Sequence, residues 1–126
     1  MKVKRILVVD DEPAILRFVQ SSLSLAGYDV IVTTSGEEAL QLTEAKTPDL
    51  MLLDIFMTPL SGFDVLAKLR TFSKIPVIVF TARSNVAKQA FELGANGFLA
   101  KPFKLDELQT KISGLLEPNG HKKSDS

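Results

Sequence analysis

The chain contains no cysteine and no tryptophan, one tyrosine and one histidine. Without cysteine, disulfides and thiolate metal sites are excluded. An excess of one charge is lacking as well, because fifteen Lys and Arg offset fifteen Asp and Glu. No chain-wide basic field therefore points to nucleic acid or to a membrane surface. Long apolar runs are also missing. After the basic start Met1-Lys2-Val3-Lys4-Arg5, only Ile6 to Val9 follow as an unbroken apolar stretch. That is too short for the core of a signal peptide or for a membrane span, so a cytoplasmic protein is expected. What is present is ordinary for a globular chain: 126 residues, 45% hydrophobic and 24% charged. One domain of that size buries roughly two-thirds of the surface its unfolded chain exposes.

Apolar runs alternate with helical patterns along the whole chain. Ile6 to Val9 read as a first strand, followed by a helix with Ile15, Leu16, Val19 and Leu23 at helical spacing. Gly27 is placed to stop that helix. Tyr28, Val30 and Val32 alternate as a half-wet strand, and Ser35 is placed to cap a second helix with Glu37 and Glu38 in its first turn. Pro48-Asp49 breaks that helix, and Leu50 to Leu53 form a third strand. Gly62 to Phe72 are predicted helical, Val77 to Phe80 a fourth strand, Ser84 to Leu93 a fourth helix stopped by Gly94, and Gly97 to Ala100 a short fifth strand. A last helix carries Leu105, Leu108, Ile112 and Leu115 and ends at Pro118. Residues 1–118 are expected to form the domain, and the polar, aperiodic residues 119–126 a disordered tail or the start of a linker. Five strands separated by helices imply an α/β fold: a doubly wound parallel sheet with right-handed crossovers. The runs expected at the centre are the greasiest, whereas the second alternates and the fifth is short. That distribution fits the flavodoxin-like strand order 2-1-3-4-5.

In such sheets ligands bind beyond the carboxyl ends of the strands, where the winding reverses. The sequence puts Asp10 and Asp11 after strand one, Asp54 after strand three, Thr81 after strand four and Lys101 after strand five. Three crowded carboxylates call for a cation, and oxygen donors without His or Cys favour Mg²⁺. Thr81 and Lys101 add a hydroxyl and an ammonium, which suit phosphoryl oxygens as a second, anionic occupant. A carboxylate can act as a phosphoryl nucleophile. Asp54 is the expected acceptor because it lies centrally, while Asp10 and Asp11 form a metal-holding pair.

Four motifs carry a resemblance: Ile6-Leu-Val-Val-Asp-Asp-Glu12, Asp49-Leu-Met-Leu-Leu-Asp54, Phe80-Thr-Ala82 and Gly94-Ala-Asn-Gly-Phe-Leu-Ala-Lys-Pro-Phe103. In this order and spacing, residues 4 to 117 resemble the receiver domain of two-component response regulators, of the chemotaxis-regulator-like kind. The resemblance implies a phosphoacceptor switch, not an enzyme, in which Asp54 takes a phosphoryl group from the phosphohistidine of a sensor histidine kinase. It implies Asp11, Asp54 and the backbone carbonyl of Phe56 as Mg²⁺ ligands, with Asp10 assisting. It gives Thr81 and Phe98 the role of a coupled switch, pairs Lys101 with the phosphoryl group, and makes Lys101-Pro102 a cis peptide. The partners implied are the kinase and a downstream protein or output domain, with no direct nucleic-acid contact and no membrane contact by this domain.

The sequence departs from the family pattern twice. Thr58 stands where the family usually has proline, with Pro59 following, which puts the loop shape in question but leaves Gly62 at its usual distance from Asp54. Winged-helix members pair through the fourth helix, fifth strand and fifth helix using acidic residues near strand five, where this chain has Asn96-Gly97. Lys88, Glu107 and Lys111 remain for ion pairs in a weak homodimer. Plainer readings exist for single residues: Asp11 or Glu12 as a helix cap before Pro13, Thr81 as a cap for the fourth helix, Phe98 as core, Lys101 as a surface lysine. His121, in the polar stretch, reads as incidental. Three other functions fit the sequence less well. An aspartyl phosphatase or phosphotransferase wants an acid where Phe56 stands. A flavin carrier wants a phosphate loop where Asp10-Asp11-Glu12-Pro13 stand. A binding module that never takes phosphate has no need of the complete acceptor set. Phe56 and Arg83 flank the site at positions that could screen or admit an attacking water.

Overall fold

A computed structural model describes residues 3–117. The elements run β1 (Arg5–Val9), α1 (Pro13–Leu25), β2 (Asp29–Thr33), α2 (Gly36–Lys46), β3 (Leu50–Asp54) and α3 (Gly62–Leu69). Then come β4 (Val77–Thr81), a 3₁₀ turn (Ser84–Val86), α4 (Ala87–Glu92), β5 (Gly97–Ala100) and α5 (Leu105–Leu116). All strand pairs are parallel, in the order β2-β1-β3-β4-β5. This is the flavodoxin-like winding expected from the sequence. The expected tail at residues 119–126, Pro118 and His121 lie outside the described residues.

Period-two alternation in the buried strands splits the core into two layers. Ile6, Val8, Leu50, Leu52, Ile78 and Phe80 face α1 and α5, meeting Leu16, Val19, Leu23, Leu108 and Ile112. Leu7, Val9, Met51, Leu53, Val77 and Val79 face the other way, toward Ala39, Val65, Leu66, Leu69 and Ala90. Strands β3 and β4 are buried along their whole length, while β2 and β5 are partly exposed edges. A sheet covered on both faces leaves only its ends open. That is why the polar residues collect there.

Most punctuation sits where the sequence put it. Ser35 accepts from the Glu38 N–H at 3.0 Å as the α2 cap. Gly27 and Gly94 take the left-handed φ values of 101° and 108° that end α1 and α4. Two helices are shorter than expected. Helix α3 stops at Leu69 rather than Phe72, because Ser73 and Phe72 donate back to Leu69 and the Arg70 side chain turns out to the carbonyls of Gly94 and Ser73. The predicted Ser84–Leu93 helix opens as a 3₁₀ turn and becomes α-helical only at Ala87, with no side-chain cap at either start. The Thr81 hydroxyl accepts only a long 3.5 Å contact from the Arg83 N–H, so the reading of Thr81 as a helix cap fails. Glu12 does occupy the cap position of α1, with Pro13 as its first helical residue, but its side chain makes no capping bond. Both Lys101-Pro102 and Thr58-Pro59 are cis. The second lies in the loop where the sequence departs from the family pattern.

Candidate functional site

Strand register brings the predicted residues to one rim. Asp54 is the last residue of β3 and pairs with Phe80, and Thr81, one step on, pairs with Ala100. Asp10 follows β1 directly, and its N–H donates to the Thr33 carbonyl. Lys101 follows β5, and its N–H donates to the Thr81 carbonyl at 2.8 Å. Asp10, Asp54 and Thr81 are buried, whereas Asp11 is exposed at the mouth.

One ammonium serves several carboxylates. Lys101 Nζ lies 2.7 Å from Asp10 Oδ2, 3.7 Å from Asp54 Oδ1 and 3.8 Å from Glu12 Oε1. The aliphatic stem leaves its charge over the Phe80 ring, 4.9 Å from the centroid. The other oxygen of Asp10 accepts from the Glu12 N–H at 2.9 Å. One carboxylate oxygen from each of Asp10, Asp11 and Asp54 lies within 4.8 Å of the others. The Asp54 carboxyl is raised from 3.8 to about 6, chiefly by burial and then by the charge of Asp10; Lys101 pulls it down and Asp11 pushes it up. Excess negative charge, all-oxygen donors and an exposed third acid fit a hard divalent cation, and Mg²⁺ in particular.

The surrounding loops shape an open cleft of about 380 Å³ lined by Asp11, Glu12, Asp54, Phe56, Thr81 and Arg83, with Ala82 and Lys101. Its floor depends on Gly62, whose N–H donates to the Ile55 carbonyl at 2.7 Å. A Cβ there would meet the Asp54 carbonyl oxygen at 2.3 Å. Phe56 is displayed at the cleft with Arg83 stacked on it. Phe98 is not part of this cleft; half-buried, it packs against the core layer that contains Leu66 and Ala90.

Two neighbours of the site were missed in the sequence. The sequence offers Glu12 as a helix cap and not as a partner of Lys101, yet its carboxylate approaches that ammonium. An apolar hollow of about 300 Å³ beside the cleft is lined by Ile15, Phe18, Ala82, Lys101, Pro102 and Phe103. Its signal was readable: Phe18 is out of phase with the buried stripe Leu16, Val19, Leu23 and is half exposed.

Among the described residues no helix is long and apolar enough to cross a membrane. Comparison with known proteins fits the geometry. A probable transcriptional regulator, ycf27, of Cyanophora paradoxa is 44% identical over 115 residues, 90% of this chain and 48% of that protein. The alkaline phosphatase synthesis regulator PhoP of Bacillus subtilis is 38% identical over 116 residues, 90% of this chain and 48% of its own length. The chain thus spans about half the length of such relatives. A putative response regulator of Chloroflexus aurantiacus has the same fold, with a TM-score of 0.87 at 32% identity over 91% of this chain and 98% of that one. The response regulator TrrA of Thermotoga maritima, solved in complex with Mg²⁺-BeF, gives 0.84 at 36% identity over 90% of this chain and 100% of that one. The profile of the response regulator receiver domain matches residues 6–113, and the chain belongs to that family of two-component signalling domains.

Proposed function

We propose that Asp54 is the phosphoacceptor of this receiver domain and that Asp10, Asp11, Asp54 and the Phe56 backbone carbonyl hold Mg²⁺. The observation that carries the reading is the placement of Asp54. It ends the central buried strand beside Asp10, opens into the cleft and has the Lys101 ammonium within 3.7 Å. A carboxylate oxygen of Asp54 attacks the phosphorus of a phosphohistidine, the P–N bond breaks, and its electron pair remains on the departing imidazole. Mg²⁺ held by Asp10, Asp11, Asp54 and the Phe56 carbonyl would supply positive charge for the phosphoryl oxygens. Lys101 supplies further charge from the β5 side, and the Thr81 hydroxyl is the donor on the β4 side. The domain assists this transfer and the later hydrolysis without turning over a separate substrate. That makes it a switch.

Phe98 lies one strand over from Thr81, within a layer that is only half sealed at the β5 edge. Movement of the Thr81 hydroxyl toward a phosphoryl group gives Phe98 room to turn inward and alters the α4-β5-α5 surface. That surface is the place for a downstream protein or an output domain. It is also the place for a weak homodimer: Phe91 of α4 is half exposed. The Asn96 amide, by contrast, is already engaged by Arg70 and by the Val77 N–H. The relatives named as transcriptional regulators favour an output domain that binds DNA. The donor is a cytoplasmic sensor histidine kinase domain, and residues 1–118 are the unit that folds.

The test is direct. Acetyl phosphate with Mg²⁺ should add one phosphoryl group by intact mass, chelation should prevent it, and Asp54→Asn should abolish it. Equal labelling of Asp54→Asn would overturn the assignment.

A further inference from the structure

Lys101 makes its short ion pair with a residue that the proposed metal site needs. Its 2.7 Å partner is Asp10, wholly buried, while Asp54 and Glu12 stand off at 3.7 and 3.8 Å. Asp10 and Asp54 both belong to the three-carboxylate cluster, and among the described residues Glu12 is the one ion-pair partner of Lys101 that does not. A divalent cation held by that cluster offsets the charge that now attracts the ammonium and repels it at short range. Lys101 is only 14% exposed and is boxed in by the Phe80 ring, so it cannot simply swing into water. Glu12 lies on the open side, 65% exposed, with no capping bond to hold its side chain elsewhere.

We infer that Glu12 is the alternative seat of the Lys101 ammonium, receiving the ion pair when a divalent cation occupies Asp10, Asp11 and Asp54. Glu12 is then a positioning residue. It keeps Lys101 ordered and beside the cleft between loss of its Asp10 bond and arrival of the phosphoryl group. The cost of moving Lys101 off Asp10 is part of the cost of binding the cation, so Glu12 strengthens cation binding through Lys101. This inference rests on the proposed Mg²⁺ site.

Calorimetric titration of Mg²⁺ into the unphosphorylated protein tests it through a double-mutant cycle of Glu12→Gln and Lys101→Met. A half-exposed pair couples modestly, so Glu12→Gln should weaken Mg²⁺ binding roughly threefold in the natural background. With Lys101→Met present, Glu12→Gln should leave the affinity about unchanged. An equal weakening in both backgrounds would mean that Glu12 acts only as a distant negative charge, and would overturn the inference, as would no effect in either. A second readout does not depend on the Lys101→Met protein folding. The Lys101 Cε–Hε resonance of Mg²⁺-saturated Glu12→Gln should move toward that of a free lysine relative to the natural protein. Coincident resonances would again refute the pairing. If the natural protein itself binds no Mg²⁺, the metal-site reading fails, a result distinct from either of these.

Discussion

The Arg83 guanidinium lies over the Phe56 ring, 5.0 Å from its centroid. One residue comes from the loop after β3 and the other from the loop after β4, so the stacked pair bridges the mouth of the Asp54 cleft. A large aromatic ring left 45% exposed is held there by its partner rather than by the core. A cation–π contact at an exposed site contributes about 0.5–1 kcal/mol.

The pair is therefore expected to slow water attack on a phosphoryl group at Asp54. Phe56→Asn and Arg83→Ala should each speed phosphate release roughly two- to fivefold, the rate equivalent of that energy. Together they should add little beyond either alone. Release measured after removal of acetyl phosphate decides the matter, and unchanged rates in both variants would mean that the pair shields nothing.

Charge burial at Asp54 makes a prediction about stability. Its carboxyl titrates at about 6 in the folded chain against an ordinary 3.8. Below pH 3.8 the group is neutral in both states and carries no penalty. Between pH 3.8 and about 6 the unfolded chain releases the proton while the folded chain still holds it, so stability falls across that window, by up to about 3 kcal/mol, and is level above it. Asp54→Asn should therefore raise the melting temperature at pH 7.5 in a chelator and change it little near pH 4. Mg²⁺ should shrink the difference at pH 7.5. A melting difference that does not depend on pH would contradict the burial argument.

The fold was legible in the sequence because each strand is buried to a degree that its residues announce. Leu50 to Leu53 and Val77 to Phe80 are unbroken apolar runs, as strands covered on both faces must be. Asp10, Asp54, Thr81 and Lys101 were legible for a related reason: a polar residue that directly follows such a run has nowhere to sit but the open rim. Helix ends were less legible. The α3 terminus depends on Arg70 finding the Gly94 carbonyl, 24 residues away, and no local pattern encodes that contact. The place of Glu12 is hidden for a similar reason. Its nearness to Lys101 spans 89 positions and exists only once β1 and β5 are ordered across the sheet.

The proposed function predicts that a protein phosphodonor docks in the hollow between α1 and the β5–α5 loop. That hollow is almost entirely apolar and shares Ala82 and Lys101 with the acidic cleft. Phe18 projects at its rim, about half exposed. Phe18→Ala should reduce phosphotransfer from the cognate kinase at least about fivefold, the scale of an interface residue worth more than 1 kcal/mol. Labelling by acetyl phosphate should stay the same, because that donor needs no docking surface. Equal losses with both donors would place the effect in the fold or the site instead.

Two glycines separate backbone necessity from mere absence of a side chain. At Gly62 a Cβ would lie 2.3 Å from the Asp54 carbonyl oxygen and 2.7 Å from the Ile55 Cα, backbone atoms of the proposed acceptor and of the residue after it. Neither can rotate away, so Gly62→Ala should push the loop off β3. That costs about 1–3 kcal/mol, as overpacking generally does, and slows acetyl phosphate labelling because Asp54 moves with the loop. Gly114 sits within α5, where a Cβ would touch nothing within 4 Å. There the helix gains about 0.5–1 kcal/mol from Gly114→Ala, since alanine loses less backbone freedom on folding. Urea unfolding of both variants, with labelling rates alongside, should move stability in opposite directions and slow the chemistry only for Gly62→Ala. Unimpaired labelling in Gly62→Ala would show that the approach of Gly62 to β3 does not set the position of Asp54.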